Sequence, residues 1–459
     1  MNILTKRSFD IVKDRRFYTN ILLMSVPIIL QQLLRVSVDT ADSIMLGNIE
    51  QSHMAAVSQA KQIFFVFYTM CNGFATGASV LISQHWGKNE TDRIRTLFVT
   101  GIKNIAVFSL IISALIFIFP EYCMRILSND PYIISLGREY LRLSVFSYLP
   151  CAVSTMLFAC CRGVEQIKIS FTANAVSYPV NVFLNYCLIF GKLGMPELGI
   201  EGAAIGTIIS RLVELCILII FVFKYENRVN LRIKDFKLSD KGLTKLFFLI
   251  SLPIVAHEFI WSTGTSAGSA ITGQMGKEVV AGFSVAYMLY QLIASFMNSI
   301  MYTCSVVVGK EIGKGTEKKE LKTVANSMLF IGTFGGTVLG IITLMTATPF
   351  IDFYVLTETA KTYAGWFMVI FAVIWPFSGL EMTGMIATLR AGGDGKTGFI
   401  TDIFSMWVFT IPLAILGGFV LNWSPVIVIA VIKFNIIIEA VVGFIRVRSM
   451  KWVRNLTEA

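Results

Sequence analysis

The chain has 459 residues, of which 55% are hydrophobic, 12% aromatic and only 15% charged. Soluble domains usually carry about 25% charged residues, so this composition excludes an ordinary soluble protein and indicates an integral membrane protein. The net charge of +10 would suggest nucleic-acid binding in a soluble protein. Here Lys and Arg cluster at alternate ends of apolar segments, so we expect no nucleic-acid partner.

Apolar segments of membrane-spanning length follow one another along the whole chain, separated by charged residues, Pro, Gly or Asn. We predict an all-α integral membrane protein with twelve transmembrane helices in two six-helix bundles. The first segment is too long and too acidic for a cleaved signal peptide. The segments lie at about 20–46, 54–85, 98–120, 132–161, 167–190, 199–224, 243–272, 278–309, 323–349, 359–389, 397–420 and 423–445.

The basic residues predict the topology of these helices. Lys and Arg concentrate in the N-terminus, in the connections after even-numbered segments and in the C-terminus. Positive charge accumulates on the cytoplasmic side, so both termini are expected to lie there, in a protein of the cytoplasmic membrane. The opposite connections hold only Arg125, Lys192, Lys277 and Lys361.

The two halves of the sequence resemble each other at a constant offset. This predicts an N-terminal six-helix lobe at 1–226, a cytoplasmic linker at 227–242 and a C-terminal lobe at 243–459. Both halves start on the same side, so the repeat is parallel, an arrangement typical of transporters with a midplane site and alternating access. Residues that coincide are Pro27 and Pro253, Gly47 and Gly273, Asn72 and Asn298, and Gly87-Lys88 and Gly313-Lys314.

Two carboxylates, Asp39 and Asp42, lie in the first apolar segment one helical turn apart. A charge near the bilayer centre costs about 2.5–3.5 kcal/mol, so the pair indicates a functional site. Two such acids do not both ionise easily, which suits proton exchange. The alternative is that Asp42 stays ionised and binds Na+. The coordination shell of the ion would then be completed by oxygens of Asn181, Asn185 and Thr207. The remaining alternative is a helix end where headgroup water solvates both acids.

The second half carries a different set of intramembrane acids, Glu258, Glu381 and Asp402. The position equivalent to Asp42 is Gly268, so the halves do not share one site. We predict that these acids bind substrate or a proton in the C-terminal lobe. For Glu258 the alternative is a structural acid paired with a buried polar neighbour.

Signatures of catalysis do not stand out in the sequence. We found no nucleophile–base arrangement, and GKGTEKK at 313–319 lacks the Walker pattern. The eight Cys show no CxxC or metal spacing, so free thiols are expected. The chain is predicted to be neither an enzyme nor a cofactor protein, and transport would draw on an ion or substrate gradient.

Several motifs together resemble those of the multidrug and toxic compound extrusion (MATE) transporters. They are DSIMLG at 42–47 followed by MAAVS at 54–58, GASVLISQHWGK at 77–88, RGVEQIKISFTANAVSYPVNVFLNYCLIFG at 162–191, MPELGIEGAAIGTIISR at 195–211, LRAGGDGKT at 389–397 and TDIFSMWVFTIPLA at 401–414.

This resemblance implies an antiporter that couples entry of Na+ or H+ to drug export. It assigns the family acid of the first span to Asp42, and leaves Asp39 as an additional, modulating acid. Asn181 matches the span 5 Asn, and Thr207 matches the span 6 hydroxyl. Some members carry Asp where this chain has Asn185, which leaves the coupling ion open.

In the second half Glu258 is similar to the span 7 acid of the family, and Glu381 is a weaker match to a second acid. The expected partners are small, mainly cationic organic substrates and membrane lipids, and the expected state is a monomer. A flippase for lipid-linked saccharides is the principal alternative, although it should carry more interior Arg and Lys. An ion channel and a membrane-embedded enzyme also rank below the exporter.

Overall fold

The computed structural model describes residues 10–47 and 51–458, and within these ranges the side chains at 39, 43, 44, 46, 47 and 51 are not described. This part of the chain is helical and contains no β-strand, which confirms the predicted all-α fold. The long helices are α1 Arg15–Gly47, α2 Gln51–Gly87, α3 Thr91–Ile118, α4 Pro131–Gly163, α5 Lys168–Phe190, α6 Gly199–Tyr225, α7 Lys241–Gly273, α8 Lys277–Gly313, α9 Lys318–Asp352, α10 Glu358–Leu389, α11 Gly395–Val420 and α12 Pro425–Arg448.

Eleven of these helices, counted over the described residues, are long and apolar enough to cross a membrane. The exception is α5, which has 23 residues but carries three buried asparagines, Asn174, Asn181 and Asn185. At ~1.5 Å per residue α5 still spans the hydrocarbon thickness of about 30 Å. The twelve-helix prediction is therefore confirmed, and α5 is the most polar member.

Small residues bring α9 and α10 into backbone contact. Gly332, Gly336 and Gly340 recur every four residues and so lie on one face of α9. A methyl group at Gly332 would overlap the carbonyl oxygen of Gly379, and one at Gly336 would overlap that of Trp375. Because neighbouring helices gain no hydrophobic driving force in lipid, such close approach is a main source of packing energy between them.

Wide helical turns interrupt α10 and α11. A π-helical stretch covers Met382–Leu389 in α10 and another covers Ile403–Thr410 in α11. Thr388 donates its hydroxyl proton to the carbonyl oxygen of Thr383, five residues earlier, at 2.7 Å. Such turns often occur at functional sites, and these two begin directly after Glu381 and Asp402, whereas a further π-helical stretch of α11, Leu416–Val420, follows Ile415.

The ends of α2 and α8, which the repeat relates, contact each other reciprocally. Gly87 faces the carbonyl oxygen of Lys310, while Gly313 faces the carbonyl oxygen of Gln84. The side chain of Gln84 also donates to the carbonyl oxygen of Ala391 at 2.7 Å. A Cβ at either glycine would overlap the facing backbone, which explains why both halves keep Gly at this position.

The described chain forms two compact units. One contains residues 10–26, 83–89 and 260–458, and the other contains 27–47, 51–82 and 90–259. In the first, α8–α12 pack around apolar clusters that include Met297, Phe367 and Trp375. The lobe boundaries were inferred from the sequence repeat, whereas the two compact units are defined by residue contacts. The lobe boundaries therefore stay a prediction.

Candidate functional site

The carboxylate of Asp42 in α1 is held by α5. The side-chain nitrogen of Asn185 donates a hydrogen bond of 2.7 Å to Oδ1 of Asp42. Asp42 is 7% exposed and Asn185 is fully buried. A hydrogen bond to a charged acceptor is about twice as strong as a neutral one, so this bond fixes the acid against α5.

From Asn185 the hydrogen bonds continue to α6. The same Asn185 nitrogen lies 3.3 Å from Oδ1 of Asn181, whose nitrogen donates to Oγ of Ser210 at 3.3 Å. Ser210 in turn donates to the carbonyl oxygen of Thr207 at 2.9 Å. The Thr207 hydroxyl itself donates to the carbonyl oxygen of Ala203 within α6. Three helices are thus connected through one polar cluster, which we call the Asp42 cluster (Asp42, Asn181, Asn185, Thr207 and Ser210).

Gly206 permits the close approach of α6 to this cluster. A Cβ at Gly206 would overlap Oδ1 of Asn185. That oxygen is buried and has no hydrogen-bond donor among the described residues. An amide oxygen without a donor costs free energy unless a ligand or water satisfies it. It is also the type of hard ligand that alkali and alkaline-earth cations prefer.

A second charge lies beside the acid. Nζ of Lys61 in α2 is 3.5 Å from Oδ2 of Asp42, and the Lys61 side chain is 34% exposed. The guanidinium of Arg35 lies over the ring of Tyr68, 4.3 Å from its centroid. The Lys61 ammonium compensates part of the charge of Asp42.

The structure brings together four of the residues predicted for the N-terminal site. Asp42, Asn185 and Asn181 are in direct contact, and Thr207 joins them through its carbonyl oxygen. The side chain of Asp39, predicted as a modulating acid, lies outside the described part of the structure. Whether the cluster binds an ion stays a prediction.

An apolar cavity of about 560 Å³, wide open at the surface, borders the same two helices. Its lining includes Leu34 and Met45 of α1 and Tyr178, Phe183 and Tyr186 of α5. This volume is within the range of about 300–1,000 Å³ typical of small-molecule sites. α5 thus contributes amides to the Asp42 cluster and aromatic rings to the cavity.

A second buried cluster, the Glu439 cluster, lies in the unit that contains α10–α12. Oε1 of Glu439 accepts hydrogen bonds from Oγ of Ser405 at 2.8 Å and from Nδ2 of Asn435 at 2.9 Å. Asp402 and Glu381 are near enough to interact electrostatically with Glu439. Two acids predicted for the C-terminal lobe therefore converge on a third that the prediction omitted.

Glu258, the remaining predicted acid, belongs to the unit of the Asp42 cluster. Its Oε1 lies 3.8 Å from Nδ1 of His257. A neighbouring histidine fits the structural alternative for this acid, and its role stays a prediction.

Sequence reasoning missed Ser210, Glu439 and Lys433, which all lie in apolar segments. The run KFNIIIE at 433–439 contained a usable signal, since its Asn and Glu are spaced i, i+4 on one helix face like Asn181 and Asn185. In the described residues no group of three or more His, Cys, Asp or Glu side chains is arranged to hold a metal ion.

In the described part of the chain, twelve long helices, eleven of them apolar enough to cross a membrane, define a multi-pass membrane protein. The MatE family profile matches residues 27–187 and 253–416, one segment in each half of the chain. The chain therefore belongs to the MatE family, which confirms the resemblance inferred from the motifs.

Relatives and solved structures agree with this assignment. A probable multidrug resistance protein NorM from Thermotoga maritima is 25% identical over 401 residues, covering 85% of this chain and 83% of the relative. The probable multidrug resistance protein YoeA from Bacillus subtilis is 23% identical over 400 residues, covering 85% of each.

Two solved structures share the fold at 18% identity. A MATE crystal structure in complex with MaL6 has a TM-score of 0.83 and covers 94% of this chain and 95% of that one. A MOP superfamily transporter from Pyrococcus furiosus has a TM-score of 0.82 and covers 94% of both chains.

Proposed function

We propose that this protein is a cation-coupled antiporter that exports cationic and amphipathic organic compounds across the cytoplasmic membrane. The coupling ion is Na+ or H+, and both termini lie in the cytoplasm. One observation carries the proposal. The buried carboxylate of Asp42 is held by an amide of α5 and is simultaneously within 3.5 Å of a lysine ammonium.

The Lys61 ammonium acts in this proposal as a tethered competitor of the coupling cation. An entering Na+ or H+ replaces Lys61 at Oδ2 of Asp42, while Asn185 retains Oδ1. The displaced ammonium can be solvated, because the Lys61 side chain is 34% exposed. When the coupling cation leaves, the Lys61 ammonium replaces it, so the buried carboxylate is not left without a positive charge. The free energy needed to release the coupling cation is therefore lower, and a transport cycle requires that release.

Coupling requires that the cation and the substrate prefer different conformations, since a ligand indifferent to conformation shifts no equilibrium. The apolar cavity supplies the second ligand site. It is lined by Tyr178 and Tyr186, which flank Asn181 and Asn185 along α5. A cation bound at Asp42 would therefore rearrange helices that also contact the substrate.

The substrate class rests on the family and on this lining. The relatives reported above are named multidrug resistance proteins, and aromatic side chains suit planar amphipathic compounds of varied structure. A lipid-linked saccharide flippase is not proposed, because no observation of the Asp42 cluster favours it. The proposal assigns no catalytic step and no bound cofactor to the chain.

Efflux of ethidium from proteoliposomes containing the purified full-length protein tests this function. The Na+ and pH gradients are imposed separately, with the membrane potential clamped. We expect one gradient to drive ethidium against its own concentration difference. Efflux that only follows the ethidium gradient, under both conditions, would contradict coupling.

A further inference from the structure

Lys433 lies near the middle of α12, where its ammonium faces three aromatic rings. The distances from Nζ to the ring centroids are 5.0 Å for Tyr290, 5.6 Å for Phe371 and 5.8 Å for Tyr287. The rings belong to α8 and α10, and all of these residues lie in one compact unit. We call this group, together with Trp375, the Lys433 cage.

The cage walls are held in place by ring contacts. Tyr290 stacks on Trp375 at 4.9 Å and contacts Phe371 at 5.0 Å, while Tyr287 stacks on Tyr290 at 5.9 Å. Phe371 and Trp375 are fully buried in the core of this unit. A site with fixed walls loses little conformational entropy when a ligand binds.

Among the described residues, no carboxylate compensates the charge at the centre of the cage. Within the described part of the chain, the Lys433 ammonium makes neither an ion pair within 4.0 Å nor a hydrogen bond. Ring faces attract a cation, but this attraction offsets only part of the cost of removing an ammonium from water. The site is therefore one in which an added negative charge is favourable.

The hydrogen-bonding groups of the cage also favour a negatively charged ligand. An ammonium supplies three donors and an indole N–H one, and neither group accepts. Nε1 of Trp375 is buried and has no acceptor among the described residues. Donors that lack acceptors, next to aromatic faces, fit a ligand with an anionic group on a planar apolar body.

We propose that the Lys433 cage binds aromatic organic anions, such as arene carboxylates. The carboxylate would pair with the Lys433 ammonium, and the ring would stack within the cage. The inference depends on the proposed function only in that a bound anion would be exported, alone or as the acidic part of a zwitterion. Binding itself is independent of coupling and is measured separately.

The test compares two probes of equal size, 2-naphthoate and 2-naphthylmethylammonium, by calorimetric titration of the purified full-length protein. We expect the wild type to bind naphthoate at the cage, whereas any binding of the cation reports on the separate apolar cavity beside the Asp42 cluster. Lys433→Met should weaken naphthoate binding about tenfold or more and leave the cation unchanged. Lys433→Arg should retain naphthoate binding, because a guanidinium keeps the charge.

Lys224→Met is the matched control, because Lys224 also lies over a ring, 5.7 Å from the centroid of Tyr225, but outside the cage. It should change neither affinity. An unchanged naphthoate affinity in Lys433→Met, or tighter cation binding by that variant, would overturn the proposal. A wild type that does not bind naphthoate would also overturn it, so the proposal stays testable if Lys433→Met misfolds. Naphthoate binding without ethidium efflux would refute the proposed function alone.

Discussion

Asn185 donates its side-chain proton to the carboxylate of Asp42 across 2.7 Å, although the two residues are 143 positions apart in sequence. The bond joins α1 to α5 and leaves Oδ1 of Asn185 without a donor in the described structure. The amide therefore positions the acid and offers a further ligand oxygen. The first predictions concern this pair.

Replacing Asn185 by Asp should increase the affinity for the coupling cation. A second carboxylate beside Asp42 adds negative charge in a low-dielectric site, so the half-saturating cation concentration of ethidium efflux should fall at least about tenfold. Asn174→Asp adds the same charge elsewhere on α5, outside the Asp42 cluster, and is the control. An unchanged or higher half-saturating concentration for Asn185→Asp would contradict a cation role for the cluster.

Gly206→Ala should disrupt the Asp42 cluster from α6. The added methyl group overlaps Oδ1 of Asn185, so the amide must move away from Asp42. Loss of a charged hydrogen bond should slow gradient-driven efflux about tenfold or more. Gly365→Ala is the matched control, since a methyl group there meets no atom within 4 Å. Equal efflux by the two variants would show that the Asn185 position does not matter.

Lys61→Met should make the coupling cation bind more tightly. Removing the Lys61 ammonium removes one positive charge that competes with the external cation at Oδ2 of Asp42. Partly exposed ion pairs contribute up to about 1 kcal/mol, so the half-saturating cation concentration should fall roughly twofold to fivefold. The measurement is the initial rate of efflux against cation concentration, with Lys61→Arg as the charge-retaining control. A rise in that concentration would exclude Lys61 as a competitor.

In the second cluster, Glu439→Leu should destabilise the protein more than Glu439→Gln. Leucine leaves the donors of Ser405 and Asn435 buried without an acceptor, at about 1–3 kcal/mol each, whereas the Gln oxygen accepts both bonds. Thermal unfolding of the purified variants measures the difference. The same melting temperature for both variants would show that these hydrogen bonds do not stabilise the unit.

The helices and the N-terminal site were predictable because their signals are local. Apolar length defines each span, and a carboxylate such as Asp42 in a span is expensive enough to indicate a site. The fixed spacing of Asn181 and Asn185 places both amides on one face of α5. The contact between α1 and α5 was inferred from the resemblance, since no sequence pattern measures it.

The Glu439 cluster and the Lys433 cage were not predicted, for physical reasons. Glu439 and Lys433 lie inside the apolar segment predicted as the last span, where the i, i+4 spacing of Asn435 and Glu439 was the only local signal noted. The π-helical turns after Glu381 and Asp402 leave the apolar pattern nearly unchanged, so sequence periodicity does not reveal them. The three acids come from three different helices and meet only when those helices pack. No local sequence pattern indicates such a contact.

Ethidium efflux by the Asp42→Asn variant, in proteoliposomes with an imposed Na+ or pH gradient, tests the central claim most directly. Asparagine keeps the size of the side chain and an oxygen that accepts the Asn185 hydrogen bond, but removes the charge. We predict that the variant folds and loses gradient-driven efflux. Efflux at the wild-type rate under the same gradients would contradict coupling at Asp42.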